Sequence, residues 1–385
     1  MMCLDGLRVL DLSIYIPGPF ATLMLSDLGA EVVKIEAPAG DPLRGQPPFD
    51  SDGVSPFYKL LNRNKQVVTL DLKSEAGKAA LEELVRGADV LLESFRPGVL
   101  ERLGFGAARL REINPRLVHC AMSGYGQTGP FRLRSGHDLT YIALSGGLAL
   151  TGPRERPMMN FPPLADHAGA MQALVAILAA LVRRGVTGQG GSIDVSLFEA
   201  ALAWQYMPLT LGRRPGEAVT REGDLLNGAA AWYRIYRTKD GRFAAFAPME
   251  EKFWAAFCKA VERPDLLPRH ADPFPQTALI AELEEIFAGR SLQEWDDLLG
   301  PADCCFEPVI DPADVPDHPH VRERGLVKVA DGPDPFAEIL LPALFDSQPP
   351  PPRRPMEKVA VETVLAAWGK PSVPGGLPRD SRRES

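Results

Sequence analysis

The chain has 385 residues, 45% of them apolar and 24% charged, with a formal net charge of −8. That length exceeds one ordinary hydrophobic core, so two domains are expected, and the composition is that of a globular protein. The negative balance excludes non-specific nucleic-acid binding, which needs a basic surface against phosphates, although a local basic pocket stays open.

In chain order, LRVLDLS (7–13), a turn at IPGP (16–19), PFATLMLSDLG (19–29) and EVVKIE (31–36) predict a strand–helix–strand opening. QVVTLDL (66–72) predicts a strand, and SEAGKAALEELVRG (74–87) an amphipathic helix capped by Ser74 and stopped at Gly87. DVLLESF (89–95), RLVHCAMSG (116–124) and GSIDVSL (191–197) complete a set of near-continuous apolar strands. Such strands alternating with helices imply a parallel sheet covered on both faces. The longest apolar run, within 168–182, is interrupted by Gln172 and predicts a buried helix, not a membrane span.

Polar, Gly-rich text at 206–227 reads as a linker, and 231–248 as a hairpin turning at Asp240-Gly241. Helices are expected at 251–262, 278–288 and 291–299, a Pro/Asp/His-rich connection at 307–325, extended polyproline at 349–355 and a disordered tail at 371–385. The five cysteines lack C-x-x-C spacing, so neither a disulfide framework nor a zinc site is expected, and Cys304 and Cys305 read as reduced thiols. No leader segment precedes the first strand, and a cytoplasmic location is expected.

The strand–turn–helix opening, with Glu36 ending its second strand, mimics a dinucleotide-binding unit. Its turn, however, is IPGPF, with no G-x-G-x-x-G and with two prolines where backbone donors should meet a pyrophosphate. Two residues downstream suit proton transfer: His137 in a Gly-flanked turn, and Asp166 at the mouth of the long apolar helix. Each alone has a plain structural account, Asp166 as a helix N-cap and His137 as a satisfied histidine.

Five segments occur in order: LSIYIPGPFATLMLSDLGAEVVKIEAP, NRNKQVVTLDLKSEAGKAALEELVRGADVLLESFRPGVLERLG, CAMSGYGQTGP, GHDLTYIALSG and LADHAGA. Together they resemble the family III CoA-transferases of the CaiB/BaiF type, and most of all their α-methylacyl-CoA racemase branch, over about residues 4–368. The resemblance implies an α/β fold: a Rossmann-like large domain (1–205 plus 325–370) and a small α+β domain (228–310). Linkers at 206–227 and 311–324 would join them, with two chains interlocked as a homodimer. It implies a CoA thioester as ligand, with no other cofactor, no metal, no nucleic acid and no membrane partner.

For the ligand's nucleotide end it points to Thr69, Leu70, Asp71, Leu72 and Lys73, and to Phe95, Arg96 and Arg102, with Lys73 and the two arginines as phosphate partners. Gly124, Tyr125, Gly136, Asp138 and Tyr141 belong to the matched motifs around the site. Relatives often carry a basic nucleotide contact after KIE; here the residue is Ala37, and Arg44 is the nearby replacement. Asp166 matches the family's catalytic carboxylate, His137 the second base of the racemases, and Glu250 their small-domain glutamate. The resemblance implies exchange of the α-proton of a 2-methylacyl-CoA by two bases, with the enolate oxygen met by N–H groups opening the Asp166 helix. The alternative is CoA transfer between carboxylates through an Asp166 acyl anhydride. Apolar Met158, Met159 and Phe161 are candidates for a tolerant acyl surface.

Overall fold

The protein is described by a computed structural model over residues 2–214, 216 and 220–369, so the expected tail at 371–385 lies outside the described residues. Its residues form two compact units: one comprises the chain up to Leu144, Pro162–Ala203 and the chain from Pro316; the other comprises Ser145–Phe161 and Trp204–Val315.

The first unit opens with β1 (Arg8–Leu12), α1 (Pro17–Asp27), β2 (Glu31–Glu36), α2 (Pro56–Leu61), β3 (Gln66–Thr69), α3 (Glu75–Gly87) and β4 (Val90–Glu93). There follow α4 (Val99–Arg102), α5 (Ala107–Ile113), β5 (Val118–Ser123), α6 (Asp138–Leu144), α7 (Leu164–Thr187), β6 (Gly191–Ser196) and α8 (Leu197–Ala203). The strands lie in the order β3-β2-β1-β4-β5-β6, all parallel. Every residue of β4 and β5 is buried, as a sheet covered on both faces requires. The order reverses between β1 and β4, and in such sheets ligands sit beyond the carboxyl ends of the strands at that reversal.

Strand β3 stops at Thr69, short of the expected 66–72. The Asp71 carboxylate accepts the N–H of Lys73 at 3.0 Å and its carbonyl accepts the Ser74 hydroxyl at 2.8 Å, so a side-chain-stabilised turn replaces the strand end. Ser74 caps α3 by accepting the Gly77 N–H at 3.0 Å. Helix α7 is long and apolar enough to cross a membrane, but it packs on α1, α8, β5 and β6 within the unit. Its small residues Ala165, Ala168, Gly169, Ala170 and Ala173 form that buried face, while Met171, Val175, Val182 and Val186 are exposed.

The second unit holds α9 (Tyr206–Leu211), the hairpin β7 (Arg234–Arg237) and β8 (Phe243–Phe246), α10 (Glu251–Ala260), α11 (Thr277–Phe287), α12 (Leu292–Leu299) and β9 (Phe306–Pro308), which pairs antiparallel with β8. Its core is aromatic: Tyr236, Phe246, Trp254, Phe257, Phe287 and Trp295 are all almost completely buried. Two boundaries differ from expectation. Residues 145–161 pack with this unit instead of the large one, and the 206–227 stretch carries α9 and a 3-10 turn at Leu225–Asn227 where a plain linker was expected.

The chain then rejoins the first unit through α13 (Pro319–Arg324), the antiparallel pair β10 (Val327–Ala330) and β11 (Phe336–Ile339), β12 (Glu357–Lys358) and α14 (Val361–Trp368). Strand β12 extends the sheet beside β3, and α14 packs on α3. The Arg353 guanidinium donates to both Asp27 oxygens at 2.7 and 2.6 Å, and both side chains are buried.

Candidate active site

Beyond the carboxyl ends of β1, β4 and β5 lies a cavity of about 290 Å³. Its wall is made by Ile14, Tyr15 and Pro17 after β1, by Ser94, Phe95, Arg96 and Pro97 after β4, and by Met122, Ser123 and Gly124 at the end of β5. Arg132, Arg134, Ser135, Gly136, His137, Tyr141, Asp166 and Leu197 close it. The cavity thus occupies the reversal of strand order and contains both candidate bases.

Asp166 is the third residue of α7, not its N-cap; that position is Pro163. The cap is supplied from elsewhere, because Asp138 Oδ1 accepts the N–H groups of Ala165 at 2.5 Å and Asp166 at 3.1 Å. The expectation that these N–H groups would meet an enolate oxygen is therefore corrected: Asp138 already occupies them. Burial, then the neighbouring Asp138 charge, raises the Asp166 carboxyl from 3.8 to about 6, against the opposing pull of His167 and His137. His167 was not foreseen. Its Nδ1 lies 2.5 Å from the Pro163 carbonyl and its ring meets Phe20 edge-on at 5.2 Å.

His137 is exposed and directly precedes α6, where its N–H donates to Thr140 Oγ1 at 3.1 Å and its carbonyl accepts the Thr140 N–H at 2.8 Å. Tyr141, on the same helix, is buried, packs edge-on against Tyr125 at 5.1 Å, and is pushed up to about 12, chiefly by burial, so it keeps its hydroxyl proton at neutral pH. The glycines beside it are dictated by that side chain: a Cβ on Gly124 would fall 2.4 Å from its hydroxyl oxygen, and one on Gly136 2.5 Å from its ring.

Of the other expected ligand residues, Phe95 and Arg96 join the cavity. Arg96 is exposed, as a phosphate partner must be. Thr69 ends β3, and Leu70, Asp71, Leu72 and Lys73 form the turn after it on the same carboxyl edge of the sheet, outside the cavity wall; Leu70 is buried while Thr69, Asp71 and Lys73 are exposed. Arg102 ends α4, also outside the wall. Arg44 does not offer a free cation after Ala37: it donates to Glu36 at 3.0 Å and to the Tyr58 hydroxyl at 2.6 Å, and stacks over the Tyr58 ring. Glu250 belongs to the second unit, at the N-cap of α10. Met158, Met159 and Phe161 are exposed in that unit.

Two cavity arginines, Arg132 and Arg134, escaped the sequence reading, although they stand five and three residues before His137 in FRLRSGH. Both are exposed, and Arg134 stacks over Phe131. With Arg96 they give an acidic protein a local cationic rim.

The sequence model of CoA-transferase family III matches residues 4–357. The chain belongs to CoA-transferase family III. Within that family it is 35% identical over 332 residues to the human alpha-methylacyl-CoA racemase, covering 84% of this chain and 82% of the relative. It is also 35% identical to the Acetobacter aceti acetyl-CoA:oxalate CoA-transferase, covering 84% and 85%. A CaiB/BaiF family protein of Brucella suis has a similar crystal structure, with a TM-score of 0.82 at 27% identity over 94% of this chain and 98% of that one. Family III membership, the large parallel sheet and the CaiB/BaiF fold thus agree with the sequence reading, while racemase and transferase relatives stand at equal identity.

Proposed function

We propose that this protein is an acyl-CoA racemase that exchanges the α-proton of 2-methylacyl-CoA thioesters. The observation that carries the reading is one cavity with Asp166 and His137 in its wall, the carboxyl poised at about 6. A base with a pKa near the working pH is both populated and strong enough to take a proton from carbon.

In one direction the Asp166 carboxylate takes the α-proton, and the C–H electron pair moves into the C–C bond as the thioester oxygen gains charge. The protonated His137 then returns a proton to the opposite face. The reverse direction exchanges the roles. Tyr141, neutral at working pH, supplies a hydroxyl donor in the same wall for the charged oxygen, and Arg96, Arg132 and Arg134 supply cations for the phosphates of CoA. We propose Glu250, which belongs to the second unit, as a third catalytic residue on the family resemblance alone.

The second reading is CoA transfer between carboxylates through an Asp166 anhydride, favoured by the equally similar oxalate transferase. One experiment separates them. Single enantiomers of a 2-methylacyl-CoA are incubated in deuterium oxide, with and without an added free carboxylate. Loss of optical purity with deuterium at the α-carbon supports racemisation; CoA transfer with an unlabelled α-carbon overturns it. His137→Ala should stop inversion from both enantiomers, whereas a transferase would retain most of its turnover.

We further propose a homodimer, supported by the exposed apolar stripe Met171, Val175, Val182 and Val186 along α7. Light scattering that finds an active monomer would overturn it.

A further inference from the structure

The segment Ser13–Tyr15, which brings two side chains to the cavity, belongs to no helix or strand, yet its backbone is held by side chains at four polar groups. Asp11 accepts the Ser13 N–H at 3.0 Å, Lys34 donates to the Ser13 carbonyl at 2.8 Å, Ser94 accepts the Ile14 N–H at 3.1 Å, and Asp41 accepts the Tyr15 N–H at 3.2 Å. Tyr15 is thereby kept at φ +63°, a left-handed conformation that costs a bulky residue free energy unless its surroundings impose it. On the other side the segment meets α1 with no slack: a Cβ on Gly18 would lie 2.2 Å from the Ser13 side chain.

Three of the four tethers, all but Ser94, come from a buried charge quartet. Lys34 pairs with Asp41 at 3.0 Å and Lys65 with Asp11 at 3.0 Å, and all four side chains are fully excluded from solvent. Lys65 also donates to Thr22 and to the Pro19 carbonyl, closing the network onto α1. Burial alone would raise the Asp11 carboxyl; Lys65 and Lys34 outweigh it and hold it well below the ordinary range. Apolar residues of similar size would fill such a space at lower cost, so stability alone is a weak reason for four buried charges. What apolar residues would not do is bind the peptide groups of the loop.

We propose that Asp41 is a positioning residue: by holding the Tyr15 backbone it sets where Ile14 and Tyr15 stand in the cavity wall, and so which acyl chains the site accepts. The acyl-chain part rests on the acyl-CoA reading above; the loop-holding part does not.

The test compares two charge-matched variants of the full chain, Lys34→Met/Asp41→Asn and Lys34→Met/Asp41→Ala. Both lack the ion pair, and only the first keeps an oxygen for the Tyr15 N–H. Hydrogen exchange of the peptide covering the Ser13–Tyr15 loop is read together with dissociation constants for isobutyryl-CoA and palmitoyl-CoA. The Asn pair is expected to keep slow exchange and the parent's chain-length preference. The Ala pair is expected to exchange faster in that peptide, and in the Pro42–Gly45 turn whose Leu43 N–H the same Asp41 oxygen holds at 2.9 Å, and to shift the ratio of the two constants by about tenfold. Indistinguishable variants, or faster exchange with an unchanged ratio, would overturn the proposal. If the parent binds neither ester, the substrate reading fails, and exchange still decides whether Asp41 holds the loop. Should the Lys34→Met background not fold, Ser94→Ala releases the Ile14 tether without touching a charge; it must loosen the same peptide and move the same ratio, and no change in either counts against the proposal.

Discussion

Asp166 is carboxyl, proposed base and helix residue at once, and these roles have separable pH signatures. A two-base racemase needs a single proton shared between Asp166 and His137, so kcat/KM should fall on both sides of an optimum. One limb should lie near pH 6, and the profile should be the same for both enantiomers, because their ratio is fixed by an equilibrium constant of one. A transferase needs only the carboxylate, so its profile should show the acid limb alone and then a plateau. The raised pKa also bears on stability. Between the ordinary 3.8 and about 6 the folded protein holds a proton that the unfolded chain has lost, so the penalty is absent below about pH 4 and complete above about pH 6. Asp166→Asn should therefore unfold at the parent's denaturant midpoint at pH 4. At pH 8 it should be more stable by on the order of 3 kcal/mol. The motif around Asp166 was legible as text, and a dry pocket was expected to poise its carboxyl; the added push of Asp138 was not legible, because that residue stands 28 positions away and is brought alongside only by folding.

At the scale of elements, the cap of α7 is the informative joint. Asp138 opens α6, directly after His137, so α7 with Asp166 and the start of α6 beside His137 are fixed to each other through one carboxylate. Asp138→Ala should cost about 1 kcal/mol as a lost cap. It should also move the Asp166 limb of the pH profile downward, because the second-largest cause of the raised pKa is removed. Asp138→Asn should restore the cap, and with it the stability, while leaving the limb lowered. Gly136→Ala should force the Tyr141 ring aside and reduce turnover more than stability, read as kcat against melting temperature. The strands and most helices could be read from continuous apolar runs and from caps such as Ser74 and Ser291. The end of β3 could not, since TLDLK alternates like a strand and only the Asp71 turn bonds terminate it. The loop from Ser13 to Tyr15 was equally opaque: nothing in SIY announces that four side chains from elsewhere will hold its backbone.

For the whole molecule, the pair Arg353–Asp27 joins the returning chain to α1, and removing Asp27 leaves the buried Arg353 charge with only the Glu338 carboxylate, 3.7 Å away. Asp27→Ala should cost about 3–5 kcal/mol, measured by denaturant unfolding of the first unit, whereas replacing both residues with apolar ones should cost much less. Sequence patterning could forecast that a late segment rejoins the early sheet only through family resemblance, since a two-residue strand such as β12 has no period to detect. That late return sets an order of events on the ribosome. When Ala203 has emerged, six strands of the sheet exist, but Asp27 has no cation and the outer side of β3 has no neighbour. The missing pieces are made 326 residues after Asp27, a delay on the order of tens of seconds at bacterial or eukaryotic elongation rates. The second unit, whose aromatic core is built entirely from residues synthesised in between, has everything it needs before the first is complete. The nascent protein should thus acquire its catalytic unit last, and a ribosome stalled after Val315 should display a protease-resistant second unit beside a first unit that is still cleaved.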